Sequence, residues 1–162
     1  DLELNSLREN IEINLVSSMW ISRVVAEMMK ENEIEGSVIN FGSIYGVVGQ
    51  NLNIYHGTSM TENSIYSAIK GAMINQTKQM ASAYGRYNIR VNCISPGGVE
   101  GPVAGDNKIQ EERFKANFSD QAPLSRLAKP EEIGPAAVFL ASDASSYVTG
   151  INLIIDGGWT AI

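Results

Sequence analysis

Tyr66 and Lys70 stand four residues apart in the stretch Ile65-Tyr66-Ser67-Ala68-Ile69-Lys70-Gly71-Ala72. On a helix that spacing puts both on one face, one turn apart, where an ammonium can lie beside a phenol. A phenol titrating near pH ~10 is a poor base at neutral pH, and a neighbouring cation favours the phenolate. The pair therefore reads as a proton-transfer device. The same spacing also occurs on ordinary solvated helix faces, so the elements around it must decide.

Apolar residues recur at helical spacing from residue 6 to 30, through Leu7, Ile11, Leu15, Met19, Val24, Val25 and Met28, and predict a long helix with a buried stripe. Asn14 falls within that stripe. A buried amide needs a hydrogen bond, so Asn14 is either a structural bridge or a site residue. Residues 37–41 predict a short strand that stops at Gly42-Ser43, placing Ser43 at its carboxyl end. Residues 46–63 read as a loop with a short ordered piece, and a second helix is expected over 64–84 with Gly85 as its stop signal. The next strand, 89–94, runs into Ser95-Pro96-Gly97-Gly98-Val99, where glycines let backbone pass close to a ligand.

Residues 100–124 carry a modest helical pattern around 108–118 and read equally as a lid or a plain surface excursion. Pro130-Glu131-Glu132 begins another helix, in which Pro135 predicts a bend or a 3₁₀ start. A last strand covers 151–155, followed by Asp156-Gly157-Gly158. Helices and strands alternating in this way imply an α/β fold, an open parallel sheet covered on both faces, with ligands beyond the carboxyl ends of its strands. Ser43, the turn at Pro96 to Val99, and Tyr66 with Lys70 all converge on that rim.

Composition excludes several partners. Twelve Lys and Arg against eighteen Asp and Glu give a net charge of −6, and without a basic run no nucleic acid is expected. No stretch approaches ~18 apolar residues, so no membrane span is expected, and Asp1-Leu2-Glu3 opens neither a signal nor a transit peptide. The single Cys93, in an apolar run, reads as a small buried hydrophobe, and a cytoplasmic location fits. His56 reads as a solvated loop residue, Trp20 and Trp159 as packing or interface residues, and no metal site is expected.

The combination resembles the short-chain dehydrogenase/reductase family across essentially the whole chain. It is carried by Asn14, Gly42-Ser43, Tyr66-Ser67-Ala68-Ile69-Lys70, the run from Ile89 to Gly97, and the tail from Phe139 to Asp143 through Val148-Thr149-Gly150 to Asp156-Gly157-Gly158. The resemblance implies a Rossmann-like doubly wound parallel sheet and a catalytic tetrad of Asn14, Ser43, Tyr66 and Lys70. It also implies NAD or NADP as cofactor, bound by Tyr66, Lys70, Pro96, Gly97 and Val99. Three residues between Tyr66 and Lys70 match the main family rather than its divergent enoyl reductases. The substrate is then a small-molecule alcohol or ketone, and a homodimer or homotetramer is expected.

The family's Gly-rich opening turn and a later Asn-Asn-Ala-Gly-like element are not in these 162 residues, which look like one partial Rossmann-like domain without its N-terminal nucleotide-binding strands. Gly101 stands near the family's usual Thr. The 23 residues from Ser43 to Tyr66 exceed the usual gap, and the polar groups of residues 50–63 predict a hydrogen-bonding wall for a sugar or nucleotide-sugar. Family members with a similar loop among flagellin and surface-glycan modification proteins point the same way. Reduction of a 3-oxoacyl thioester or small ketone is the alternative, and so is a non-catalytic fragment that only assembles with partners.

Overall fold

The computed structural model describes residues 3–102 and 109–162. Its helices are α1 (Leu4–Ile11), α2 (Ser17–Glu31), α3 (Tyr66–Tyr84), α4 (Glu112–Ser119) and α5 (Gly134–Ala141), and its strands are β1 (Gly36–Phe41), β2 (Ile89–Pro96) and β3 (Asn152–Ile155). The strands form one parallel sheet in the order β1-β2-β3, with Gly36 opposite Ile89 and Cys93 opposite Asn152. Parallel neighbours need crossovers, and α3 and α5 supply them on opposite faces.

Alternation along the strands assigns the faces. Val38, Ile89 and Val91 meet Ala26 of α2 and Met80, Ala81 and Tyr84 of α3. Ile39 and Ile94 turn the other way, toward Ile133 and Leu140 of the α5 layer. Each fully buried Ile or Val contributes on the order of 1.5 to 3 kcal/mol. Buried and half-buried polar groups fasten the layers: Asn40 donates to Thr77 Oγ1 at 3.0 Å and accepts from Ser22 Oγ at 2.8 Å, and Arg90 donates to the Leu140 carbonyl at 2.8 Å. Among the described residues β1 pairs only with β2, so its other edge carries no strand.

The doubly wound α/β expectation matches this architecture, with differences of detail. The first helix runs from Leu4 to Glu31 but widens to a π-helical turn over Glu12–Val16, which contains Asn14. Its apolar stripe is not the buried surface the periodicity implied: Asn14 is exposed, as are Ile13, Trp20, Ile21 and Met28, and in α2 only Ala26 is buried. The physical reason is one-sided cover: among the described residues this helix packs mainly against α3 and the sheet. Gly85 does not stop α3 by a left-handed turn. The chain continues through a 3₁₀ turn, Gly85–Tyr87, and Asn88 takes the left-handed conformation at φ 58°. At Pro130–Glu132 a 3₁₀ turn precedes α5, as Pro135 required, because Pro135 occupies the first turn of α5 where no N–H is needed.

Candidate functional site

β1 delivers the chain to the sheet rim at Phe41, and Gly42 turns it. A Cβ on Gly42 would lie 2.5 Å from Ser95 Oγ and 2.9 Å from Cys93 Sγ, so no larger residue fits without displacing β2. Ser43 follows in extended conformation and caps the 3₁₀ turn Ile44–Gly46, its Oγ accepting from the Tyr45 N–H at 3.2 Å. That turn is pressed on the start of α3, where a Cβ on Gly46 would come within 2.6 Å of the Lys70 backbone. The contact brings buried Ser43 beside Tyr66, the first residue of α3.

The electrostatics differ from the expected ammonium-on-phenolate pairing. Burial holds the Tyr66 phenol above its ordinary value, with hydrogen bonding to Ser43 pulling the other way. Burial likewise pulls the Lys70 ammonium below its ordinary value. Lys70 Nζ lies over the Tyr66 ring, 5.6 Å from its centroid, and donates to the Phe41 carbonyl at 2.9 Å. The cation thus faces the ring and the end of β1 rather than acting as the principal influence on the phenolic oxygen.

The structure brings Ser43, Tyr66 and Lys70 together. Asn14 lies on the π-helical turn that packs against α3, with its amide donating to the Asn10 carbonyl at 3.2 Å. π-Helical turns often mark functional positions in a helix. At the other side of the rim, Pro96, Gly97 and Val99 border the same cavity as Ser43 and Tyr66. The glycines there serve packing first: a Cβ on Gly97 would lie 2.9 Å from Asp156 Cα, and one on Gly98 would enter the Phe118 ring. The Gly97 N–H is taken by the Ile155 carbonyl at 2.9 Å, and the Val99 carbonyl accepts from Gln110 Nε2 at 3.0 Å.

The cavity measures about 510 Å³, within the range of small-molecule sites. Its walls include residues that the sequence pattern does not single out, among them Ile44, Tyr45, Met60, Gln110, Phe114 and Phe118. For Tyr45 a signal existed, its place two residues after Ser43; Phe114 and Phe118 share one helix face at a spacing of four. α4 therefore covers the cavity, and its rings pack with Tyr55 and Trp159. Lys108, where a helical pattern was expected to begin, lies outside the described residues.

The 46–63 segment is a loop with one ordered piece, the 3₁₀ turn Leu52–Tyr55. Its polar groups are not a uniform wall. Gln50, Thr61 and Asn63 reach the cavity, whereas Asn51 caps the 3₁₀ turn, Thr58 bonds the Tyr55 carbonyl, and Ser59 bonds Glu111. His56 is exposed, as expected, and its carbonyl accepts from Asn117 at 2.9 Å. Cys93 is fully buried. Among the described residues no three His, Cys, Asp or Glu side chains are placed to hold a metal, and no helix is long and apolar enough to cross a membrane.

Comparison with known proteins gives a consistent set of likenesses. The profile of the family described as enoyl-(acyl carrier protein) reductase matches residues 1–160. Cis-4-hydroxycyclohexanecarboxylate dehydrogenase of Sinomonas cyclohexanicum is 34% identical over 162 residues, 100% of this chain and 59% of that protein. For 2,5-dichloro-2,5-cyclohexadiene-1,4-diol dehydrogenase of Sphingobium indicum the identity is 33%, over 100% of this chain and 61% of that protein. A short-chain dehydrogenase from Leptospira borgpetersenii serovar Hardjo-bovis, solved with bound NAD⁺, has a TM-score of 0.88 at 36% identity, over 99% of this chain and 58% of that one. A gluconate 5-dehydrogenase from Burkholderia cenocepacia, in complex with NADP and tartrate, has a TM-score of 0.85 at 27% identity, over 99% and 58%. The chain thus spans about three-fifths of the length of these curated relatives.

Proposed function

The chain belongs to the short-chain dehydrogenase/reductase family, and from that premise we propose that the protein containing it interconverts a secondary alcohol and a ketone with NAD or NADP. The observation that carries this reading is the meeting of Ser43 and Tyr66 at one cavity on the sheet rim, with the Lys70 ammonium over the Tyr66 ring. Tyr66 is the group that takes the alcohol proton, or returns it in reduction, and Ser43 donates to the substrate oxygen. Lys70 donates to the Phe41 carbonyl at 2.9 Å and makes only a long contact, 4.0 Å, with Met73 Sδ, a weak acceptor, which leaves the ammonium donors that fit the ribose hydroxyls of the nicotinamide half of the cofactor. Pro96, Gly97 and Val99 would border its ring. When bound, the dinucleotide supplies the hydride acceptor or donor. Asn14 is the candidate for linking Lys70 to solvent.

For the substrate, the wall formed by Ile44, Tyr45, Met60, Phe114 and Phe118 favours a compact, partly apolar secondary alcohol. A sugar or nucleotide-sugar, as in surface-glycan modification, is the second reading. It is favoured by Gln50, Thr61, Asn63 and Gln110 on the same cavity. Exposed Trp20, Met19 and Val16 on the groove between α2 and α3 support a homodimer or homotetramer.

The test is turnover of the intact protein with NAD⁺ and NADP⁺ on alicyclic alcohols, sugars, nucleotide-sugars and, in reverse, 3-oxoacyl thioesters. Oxidation of an alcohol that is abolished by Tyr66→Phe supports the proposal. Full turnover by that variant sinks it.

A further inference from the structure

The loop before α3 and the helix α4 are tied together along the full length of the helix. Just past its end, Asn51 donates to Gln121 Oε1 at 3.2 Å. In its last turn, Asn117 donates to the carbonyls of Ile54 at 3.1 Å and His56 at 2.9 Å. Just before its start, Glu111 accepts from the Ser59 N–H at 3.0 Å and from the Ser59 hydroxyl. Apolar contacts lie between these polar ties: fully buried Ile54 clusters with Phe114 and Phe118, and the Tyr55 and Phe114 rings stand 5.8 Å apart. The hydrogen-bonded partners are 52 to 70 residues apart in the chain, so the fold and not local sequence joins the two segments.

Asn117 makes the most directional of these ties. Within the 3₁₀ turn Leu52–Tyr55 and just after it, the Asn53 carbonyl accepts from the His56 N–H and the Tyr55 carbonyl from the Thr58 N–H, both at 3.1 Å. The Ile54 and His56 carbonyls, one on each side of Tyr55, receive the two hydrogens of a single side-chain amide. Tyr55 therefore cannot shift without breaking one bond or both. Tyr55 lines the cavity that Ser43 and Tyr66 share, and so do Phe114 and Phe118 of α4. The amide of Asn117 thus sets how far the loop wall of the cavity stands from its helix wall.

We propose that Asn117 is a positioning residue for the substrate: by holding the backbone on both sides of Tyr55 to α4, it fixes the wall against which a compact secondary alcohol is seated. This rests on the reading of the cavity as the substrate site. Asn117 acts through Tyr55 and Phe114, and the cofactor side of the rim, at Pro96, Gly97 and Val99, is reached from other elements. A wall displaced by even an ångström loses the seat of a small ligand, while the proton-transfer group stays in place.

The experiment compares the intact protein with its N117L variant, which keeps the branched shape and removes the amide, on cyclohexanol with NAD⁺ and NADP⁺. The KM for cyclohexanol is expected to rise about ten-fold while the cofactor KM stays within about two-fold and the pH dependence of kcat/KM keeps its midpoint. Amide hydrogen exchange over residues 54–59 is expected to quicken about ten-fold, with that of β2 unchanged. An unchanged KM for cyclohexanol, a cofactor KM that rises equally, or exchange that quickens as much in β2 overturns the assignment. Should N117L not fold, S59A breaks the exposed tie at the other end of α4, where a rise of about three-fold in the cyclohexanol KM is expected and no rise overturns the proposal. A wild type that does not oxidise cyclohexanol overturns the compact-alcohol substrate and the role of Asn117 with it. Y66F separates the two readings: if it is inactive while N117L keeps the wild-type KM, only the Asn117 assignment falls, and if it is fully active the whole site reading falls.

Discussion

Lys70 Nζ donates to the main-chain carbonyl of Phe41 at 2.9 Å, so the side chain one turn beyond Tyr66 is also the clasp between α3 and the end of β1. Lys70→Met keeps the apolar stem and removes the ammonium. We expect about ten-fold weaker binding of NAD(P) to the intact protein, by calorimetry, and a stability loss of ~1 kcal/mol as the Phe41 carbonyl loses its donor. Unchanged affinity together with an unchanged melting temperature would contradict both roles.

A raised Tyr66 phenol gives the reaction a direction-dependent pH profile. Oxidation needs the ionised form, so kcat/KM should climb through neutral and alkaline pH. Reduction needs the protonated form and should stay flat there. Tyr66→Phe should lower the rate by ~10² to 10⁴ and flatten the slope. Linkage has a matching sign: a pKa above its unfolded value, near ~10, means stability present below that value and lost as pH rises through the folded one. Stopped-flow rates and melts across pH 6 to 11 check both.

Gly42→Ala tests whether the tight turn matters more to packing than to chemistry. Its new methyl would meet Ser95 Oγ at 2.5 Å and Cys93 Sγ at 2.9 Å. Overpacking of this kind costs about 1 to 3 kcal/mol, and the displaced chain carries Ser43 with it. The variant should lose both melting temperature and kcat. Full activity at a lowered melting temperature would separate the turn from the placement of Ser43.

Acid should act through Glu132. Its carboxyl is held down to about 2, first by the Arg126 guanidinium and then by the Lys129 N–H. A depressed carboxylate pKa contributes stability above the unfolded value and loses it as pH falls through the folded one. The pair is exposed, so screening keeps the effect small. Glu132→Gln should melt slightly lower than wild type at pH 7, with the difference closing between pH ~4.5 and about 2; a difference independent of pH would show that charge is not its basis.

Assembly is testable by sedimentation of the intact protein at micromolar concentration. A dimer or tetramer is expected, and Trp20→Glu should shift it toward monomer, since Trp20 is 69% exposed on the α2 and α3 groove. Monomer alone in the wild type would refute the assembly.

Local pattern located Ser43, Tyr66 and Lys70 because each sits where an element starts or ends, and such ends are written in strand runs, Gly-Ser breaks and a four-residue spacing. It could not reveal that the stripe holding Asn14 is exposed, since periodicity reports an apolar face and not what covers it. Nor could it show that Gly97 and Gly98 are small because of Asp156 and Phe118, which are distant in the chain. The polar loop was legible only in part: Gln50, Thr61 and Asn63 reach the cavity, whereas Asn51, Thr58 and Ser59 make hydrogen bonds to local turns and to Glu111, a choice composition does not encode.

The pairing of the sheet also sets the tempo at which the molecule can form. Gly36 meets Ile89 across 53 residues and Cys93 meets Asn152 across 59, so among the described residues no strand has a partner close in sequence. Each pairing must first close a long loop, and that entropy is spent before any hydrogen bond between strands returns it. β2 holds both seams, which makes its fully buried Ile89, Val91 and Ile94 the positions where a truncated side chain should slow folding rather than only hasten unfolding. Refolding on the slow side of the millisecond scale, with β1 and β3 each waiting on β2, is the kinetic signature written into the strand order.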